Sequence, residues 1–126
     1  MKRSVLVLFL LVLGAAMAAA SAQASVPTVK TTVKITSGEG TEFKGKVSSA
    51  KKQCRVNRTV KLYRETESAR ATGTLVGTGK TDASGAWEIE GSFLAAVYYA
   101  RVTSVLVHAN GSAFRCSYAW TMPAHF

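Results

Sequence analysis

The residues of this chain that have catalytic or ligand chemistry are few, and most are spaced so that they cannot cooperate. His108 and His125 are the two histidines, and neither has a second His, Cys or acid at ligand spacing. A zinc site, or a nucleophile with its base, needs those groups to converge. Ser84, His108 and Asp82 supply the residue types of a hydrolytic triad, yet no nucleophile elbow or oxyanion signature surrounds Ser84. Asp82 instead lies in Thr81-Asp82-Ala83-Ser84-Gly85, where an aspartate bonding its own backbone and a glycine able to take positive φ make a turn. Glu88 and Glu90 are two apart, so on a strand their carboxyls share a face about 7 Å apart. That spacing falls within reach of glycosidase chemistry, but with no concave site indicated, a solvated strand face is the preferred reading. Gly73 to Thr81 contains Gly79-Lys80-Thr81 and superficially resembles a phosphate-binding loop. Its first glycine is one residue too distant and no helix follows, so the glycines read as small residues on a strand beneath aromatics. No catalytic residue, cofactor or metal ligand is expected.

Two features remain with physical promise. Cys54 and Cys116 are the whole cysteine complement, and an even count in a small exported chain reads as one disulfide rather than free thiols or a metal pair. Lys44 and Lys46 share a strand face, with Lys51, Lys52, Arg55 and Arg58 crowding the adjacent loop. Each such charge near an anionic envelope surface contributes about 1 kcal/mol at low screening, so the set is a candidate contact for an anionic partner. The competing role is a solubilising face that also blocks edge-to-edge sheet pairing. Tyr63-Arg64, Tyr99 to Arg101 and Phe114-Arg115 interleave aromatic and basic groups as nucleic-acid strand faces do, but export argues against a nucleic-acid partner. Asn57-Arg58-Thr59 and Asn110-Gly111-Ser112 match the glycosylation sequon and are expected to be idle.

Export is read from the first 24 residues. Met1-Lys2-Arg3 precedes an uncharged apolar run from Val5 to Leu13 and then the small-residue stretch Gly14 to Ala24, the order of a secretory signal. The apolar run is well short of the roughly 20 residues that span a bilayer. Ala22-Gln23-Ala24 places cleavage between Ala24 and Ser25, with Ala20-Ser21-Ala22 as a second position. No cysteine lies near that junction, so lipid attachment there is excluded and no stable membrane insertion is expected after cleavage. Residues 25–126 then form one domain, about 102 residues long, enough for one core. Losing Lys2 and Arg3 lowers the formal charge from +9 to +7, which still favours anionic partners.

The period of that domain is two almost throughout, which means strands with one buried face. Val29, Thr31, Val33 and Ile35 alternate with polar residues up to a turn at Ser37-Gly38-Glu39-Gly40. Phe43, Gly45 and Val47 form a second strand, Val60 and Leu62 a third, and Leu75, Gly77 and Gly79 a weaker fourth. Trp87 and Ile89 point inward. Val97 to Val107 reads as one long strand with Tyr98, Ala100 and Val102 inside. Asn110-Gly111 is a hairpin signal, and the last strand is expected to turn Phe114, Cys116, Tyr118 and Trp120 to one face. The segments Ser49 to Asn57 and Glu65 to Thr72 read as connections. About seven short strands with no amphipathic helix predict an all-β, two-sheet antiparallel sandwich of transthyretin or Ig-like type, following the signal peptide.

Four stretches carry a resemblance: Phe43-Lys44-Gly45-Lys46-Val47-Ser48; Cys54 followed by Arg58-Thr59-Val60-Lys61-Leu62-Tyr63-Arg64; Thr81 to Trp87; and Tyr98-Tyr99-Ala100-Arg101-Val102 before Cys116. In their order, the chain resembles small secreted bacterial domains with a transthyretin-like, prealbumin-type β-sandwich. These are related to carboxypeptidase regulatory-like and collagen-adhesin B-type modules. It departs from the usual Gly-x-Tyr approach to the sixth strand, having Phe93-Leu94-Ala95-Ala96 ahead of Val97-Tyr98. The resemblance implies a non-catalytic accessory or surface module. The expected function is a secreted, non-enzymatic module meeting an anionic envelope or extracellular partner through its basic face. The alternative is a small inhibitor or effector that contacts a target protein through Glu65 to Thr72 or Phe93 to Ala96.

Overall fold

Alternation of apolar and polar residues sets the architecture, because each strand can bury only every second side chain. The computed structural model describes residues 26–66 and 73–126. The expected signal segment with its Ala24–Ser25 junction, and positions 67–72 of the Glu65–Thr72 connection, lie outside the described residues. Eleven strands are present there: β1 (Thr28–Val29), β2 (Thr31–Glu39), β3 (Glu42–Ser49), β4 (Thr59–Arg64), β5 (Thr74–Lys80), β6 (Ala86–Glu90), β7 (Val97–Val102), β8 (Val105–Ala109), β9 (Ser112–Cys116), β10 (Ala119–Trp120) and β11 (Ala124–His125). The chain is an all-β sandwich. One layer is β2-β3-β6, and the other is β10-β7-β4-β5 with β11 also on β7. A third small sheet, β1-β9-β8, is added at one end, and its β1–β9 pairing is parallel where the others are antiparallel. No helix among the described residues is long and apolar enough to cross a membrane.

The core lies between the two main layers. Phe43, Val47, Trp87 and Ile89 come from one, and Val60, Leu62, Tyr98, Ala100 and Val102 from the other. These are the inward sets that the period of two gives. Gly77 lies against Ile89, where a Cβ would collide with that side chain. The glycines of β5 therefore pack beneath an isoleucine rather than beneath aromatics. Asp82 Oδ1 accepts from the Ser84 amide (2.8 Å), the Ser84 hydroxyl (2.7 Å) and the Ala86 amide (3.0 Å). Gly85 closes that turn at φ +89°, a conformation side chains resist. Asn110 and Gly111, both at positive φ, make the β8–β9 hairpin.

Three long strands expected from the sequence are broken, which raises the count above seven. Lys30 separates β1 from β2, and Thr103-Ser104 separates β7 from β8 into different sheets. Ser117-Tyr118 separates β9 from β10 and reverses the alternation: Ala119 is buried, whereas Tyr118 and Trp120 are exposed. The expected inward placement of those two aromatics is thus corrected. Leu75 also faces out, because the register shifts from Leu62↔Gly77 to Tyr63↔Leu75 and leaves Val76 as the extra residue turned to the core. The turn expected at Ser37-Gly38-Glu39-Gly40 comes later, since β2 runs on to Glu39 past an irregularity between Ile35 and Ser37.

Cys54 lies in a single 3-10 turn (Lys52–Cys54) within the expected loop, and it is joined to Cys116 at the end of β9 by a disulfide of 2.07 Å. The two sulfurs form a second small cluster with Phe114, flanked by Val29, Val107 and Ala109. The Phe93–Ala96 connection keeps a defined corner, because the Tyr98 hydroxyl donates to the Leu94 carbonyl four residues upstream. Phe93 packs edge-on to Phe43 at 4.9 Å.

Candidate functional site

The six basic residues singled out by the sequence do not all reach the surface. Arg58 is only 3% exposed and is corrected from surface contact to internal brace. Its Nη1 donates to the Thr31 hydroxyl (3.1 Å) and the Cys54 carbonyl (2.8 Å), and its Nη2 to the carbonyls of Thr103 (2.8 Å) and Ser117 (3.2 Å). One guanidinium thereby ties β2, the 3-10 turn, the end of β7 and the end of β9. The cause is local: Arg58 is two residues before Val60 and continues the inward phase of β4. Burial lowers its pKa from the usual guanidinium value, and four oxygen acceptors take the place of water.

The other five point outward or lie half-buried, and several have partners. Lys44 Nζ pairs with Glu42 at 3.0 Å and stands opposite Glu88 in the register; the Glu42 contact raises its pKa. Lys46 faces Lys34 across the β2–β3 pair. Lys51 Nζ sits 5.5 Å from the centre of the Phe114 ring. Lys52 is exposed and Arg55 half-buried. Glu42, Glu88 and Glu90 bring carboxylate oxygens within 4.8 Å of one another on this face. Glu88 is pushed up by its hydrogen bond with the neighbouring Glu42 and by that group's charge, and Glu42 is held down by its hydrogen bonds to Glu88 and Lys44. The Ser84 hydroxyl is committed to Asp82, which lowers the Asp82 carboxyl below its usual value. His108 lies in the separate β8–β9 hairpin, opposite Ala113.

A different surface gathers the aromatic and cationic groups. On β4, Thr59, Lys61 and Tyr63 face away from the core because Val60 and Leu62 face it. On β7 the same logic turns Tyr99 and Arg101 outward. Register then aligns Lys61, Arg101 and Trp120 across three strands. Tyr63 and Tyr99 stand directly opposite each other with rings 5.2 Å apart and nearly parallel, at 10°. The Arg101 guanidinium lies 5.7 Å from the Tyr63 ring centre and 5.1 Å from that of Tyr118, in the range where a cation is attracted to a ring face. Tyr118 and Trp120 approach each other at 6.3 Å, and Trp120 remains 67% exposed.

Beside this row is a cavity of about 520 Å³ whose lining includes Glu65, Tyr99, Arg101, Trp120, Met122 and Pro123. A more open trough of about 590 Å³ lies against Val33 and Ile35 of β2. Tyr118, Trp120, Thr121 and Met122 line both. The sequence marked Tyr63 and Tyr99 to Arg101 as aromatic–basic interleaving; it did not mark Tyr118 and Trp120, whose outward turn depends on the break after Cys116. No protein-family model matches the chain, and no curated protein matches it in sequence.

Proposed function

We propose that the protein is an exported, non-enzymatic β-sandwich module of the transthyretin-like kind that binds an anionic extracellular or envelope partner. The observation that supports this best is the outward row of Lys61, Arg101 and Trp120 with Tyr63, Tyr99 and Tyr118 around Arg101. Tyr, Trp and Arg are the side chains that carry most binding energy when desolvated, and the formal charge favours an anionic partner. The contact proposed from sequence is thus moved: the sheet face is primary, and Lys51, Lys52 and Arg55 are auxiliary. The test is retention of the folded domain on immobilised anionic wall polymer across a salt gradient. Retention that falls as salt rises supports the reading; passage through the column at low salt overturns it.

A second reading, a small inhibitor or effector of a target protein, is favoured by Leu94, which stands 71% exposed on the Phe93–Ala96 corner. Its signature is a stoichiometric protein complex that survives high salt and is lost in Leu94→Asp.

A further inference from the structure

We propose that the outer face of β4, β7 and β10 is a saccharide-binding site for an acidic polysaccharide, with sugar rings lying on Trp120 and the tyrosines. The inference rests on the anionic-partner reading above and deepens it by naming the polymer and the site. Three observations select this occupant. The first is the mixture of groups in the cavity beside Trp120: a flat apolar wall of Tyr99, Trp120 and Pro123, one carboxylate from Glu65, and one guanidinium from Arg101. A ligand for such a place must have an apolar face and a polar edge that both donates and accepts, which is the chemistry of a pyranose ring. A bare phosphate chain has no apolar face to lay on the rings, and an acyl chain has nothing for either charged group.

The second observation is how Arg101 is held. Tyr63 and Tyr118 flank the guanidinium, its Nε is buried with no hydrogen-bond partner among the described residues, and the side chain lines the cavity. A planar fork matches a planar carboxylate in two parallel hydrogen bonds. Lys61 stands in register beside it on β4, so the row is cationic where the acid groups of a uronate chain would fall. The third observation is continuity. The cavity and the trough against β2 share Tyr118, Trp120, Thr121 and Met122 in their linings, so an extended chain can run past the tryptophan and occupy both, whereas a single small molecule would use one.

The two tryptophans give a direct readout, because Trp87 is 3% exposed and Trp120 67%. Titrating the full folded chain with an oligouronate prepared from a polyuronate should quench and blue-shift the Trp120 emission, and protect it from iodide, while leaving Trp87 unchanged. Trp120→Ala should weaken binding by about tenfold or more, and Arg101→Gln by a similar factor for the oligouronate but little for its carboxyl-reduced, neutral counterpart. Unchanged near-ultraviolet dichroism from Trp87 certifies the fold of each variant. If the oligouronate binds equally well in Trp120→Ala, or if single-stranded oligonucleotide or polyphosphate binds more tightly than it does, the saccharide site is wrong even though the anionic-partner reading stands. If none of these polyanions binds, both readings fall.

Discussion

The Arg58 guanidinium donates to the carbonyl of Cys54, four residues before it, at 2.8 Å, so the buried cation and the disulfide brace the same turn from two sides. Arg58 reaches on to Thr31, Thr103 and Ser117, while the sulfur bridge reaches Cys116. Together they fasten the small β1-β9-β8 sheet to the two main layers. The site depends on this joint, because Tyr118 and Trp120 follow Ser117 directly and take their outward direction from where that residue is held.

Replacing Arg58 should therefore weaken the fold and not merely the surface charge. Arg58→Ala removes a charged donor from three carbonyls and a hydroxyl in a water-poor place, where hydrogen bonds to ionised groups are worth about 1.5–3 kcal/mol each and do not add fully. A loss of about 3 kcal/mol or more is expected in urea unfolding. Arg58→Lys should recover only part of it, since an ammonium cannot span the same fork. Equal stability of wild type and Arg58→Ala contradicts the brace.

Reduction should unfasten the same joint. The disulfide closes a loop of 62 residues, for which chain entropy gives roughly 4 kcal/mol. The paired substitution Cys54→Ser with Cys116→Ser should lower stability by about that amount, a large share of the roughly 5–15 kcal/mol typical of a domain. Denaturant midpoints with and without reductant check it, and coincident curves refute it.

The Asp82 turn should give an acid-dependent step. Its carboxyl is lowered in the folded chain, chiefly by the Ser84 hydroxyl and amide. Its contribution is therefore complete above the unfolded value of about 3.9 and is lost as pH falls through the lower folded value. Asp82→Asn keeps an acceptor but cannot titrate, so it should flatten the acid limb of the stability–pH curve in that window. A limb identical to wild type would mean that the turn does not titrate.

The corner at Leu94 should be modest in energy and local in effect. Tyr98→Phe removes the hydroxyl that donates to the Leu94 carbonyl and should cost about 1 kcal/mol. Amide exchange should quicken across Phe93 to Ala96 while the Cys54–Cys116 region is unaffected. Unchanged exchange there contradicts the corner's role.

How much of this the sequence carried follows from where alternation keeps its phase. It placed Phe43, Val47, Val60, Leu62, Trp87, Ile89, Tyr98, Ala100 and Val102 inside because each strand is regular, and it paired Cys54 with Cys116. It misplaced Tyr118 and Trp120 because the reversal after Cys116 is made by tertiary contacts: the Ser117 hydroxyl accepts from the Thr31 amide at 2.8 Å, a partner 86 positions away. Arg58 was legible in principle, since two residues back from Val60 keeps the inward phase of β4. Charge argued the other way, and a buried cation is stable only with acceptors, three of which here lie 27, 45 and 59 positions away where no local pattern displays them. The outward row of Lys61, Arg101 and Trp120 needs strand order, and strand order among β4, β7 and β10 is set by the fold rather than by neighbouring residues.

The most direct test of the account is the salt dependence of binding to an anionic polysaccharide, measured for the wild type and two charge-neutralised forms. Lys61→Gln with Arg101→Gln should weaken binding strongly and flatten its dependence on salt, whereas Lys51→Gln with Lys52→Gln should change both only slightly. The opposite ranking, with the loop pair dominant and the sheet pair silent, would contradict the claim that this β-sandwich binds through its aromatic and cationic sheet face.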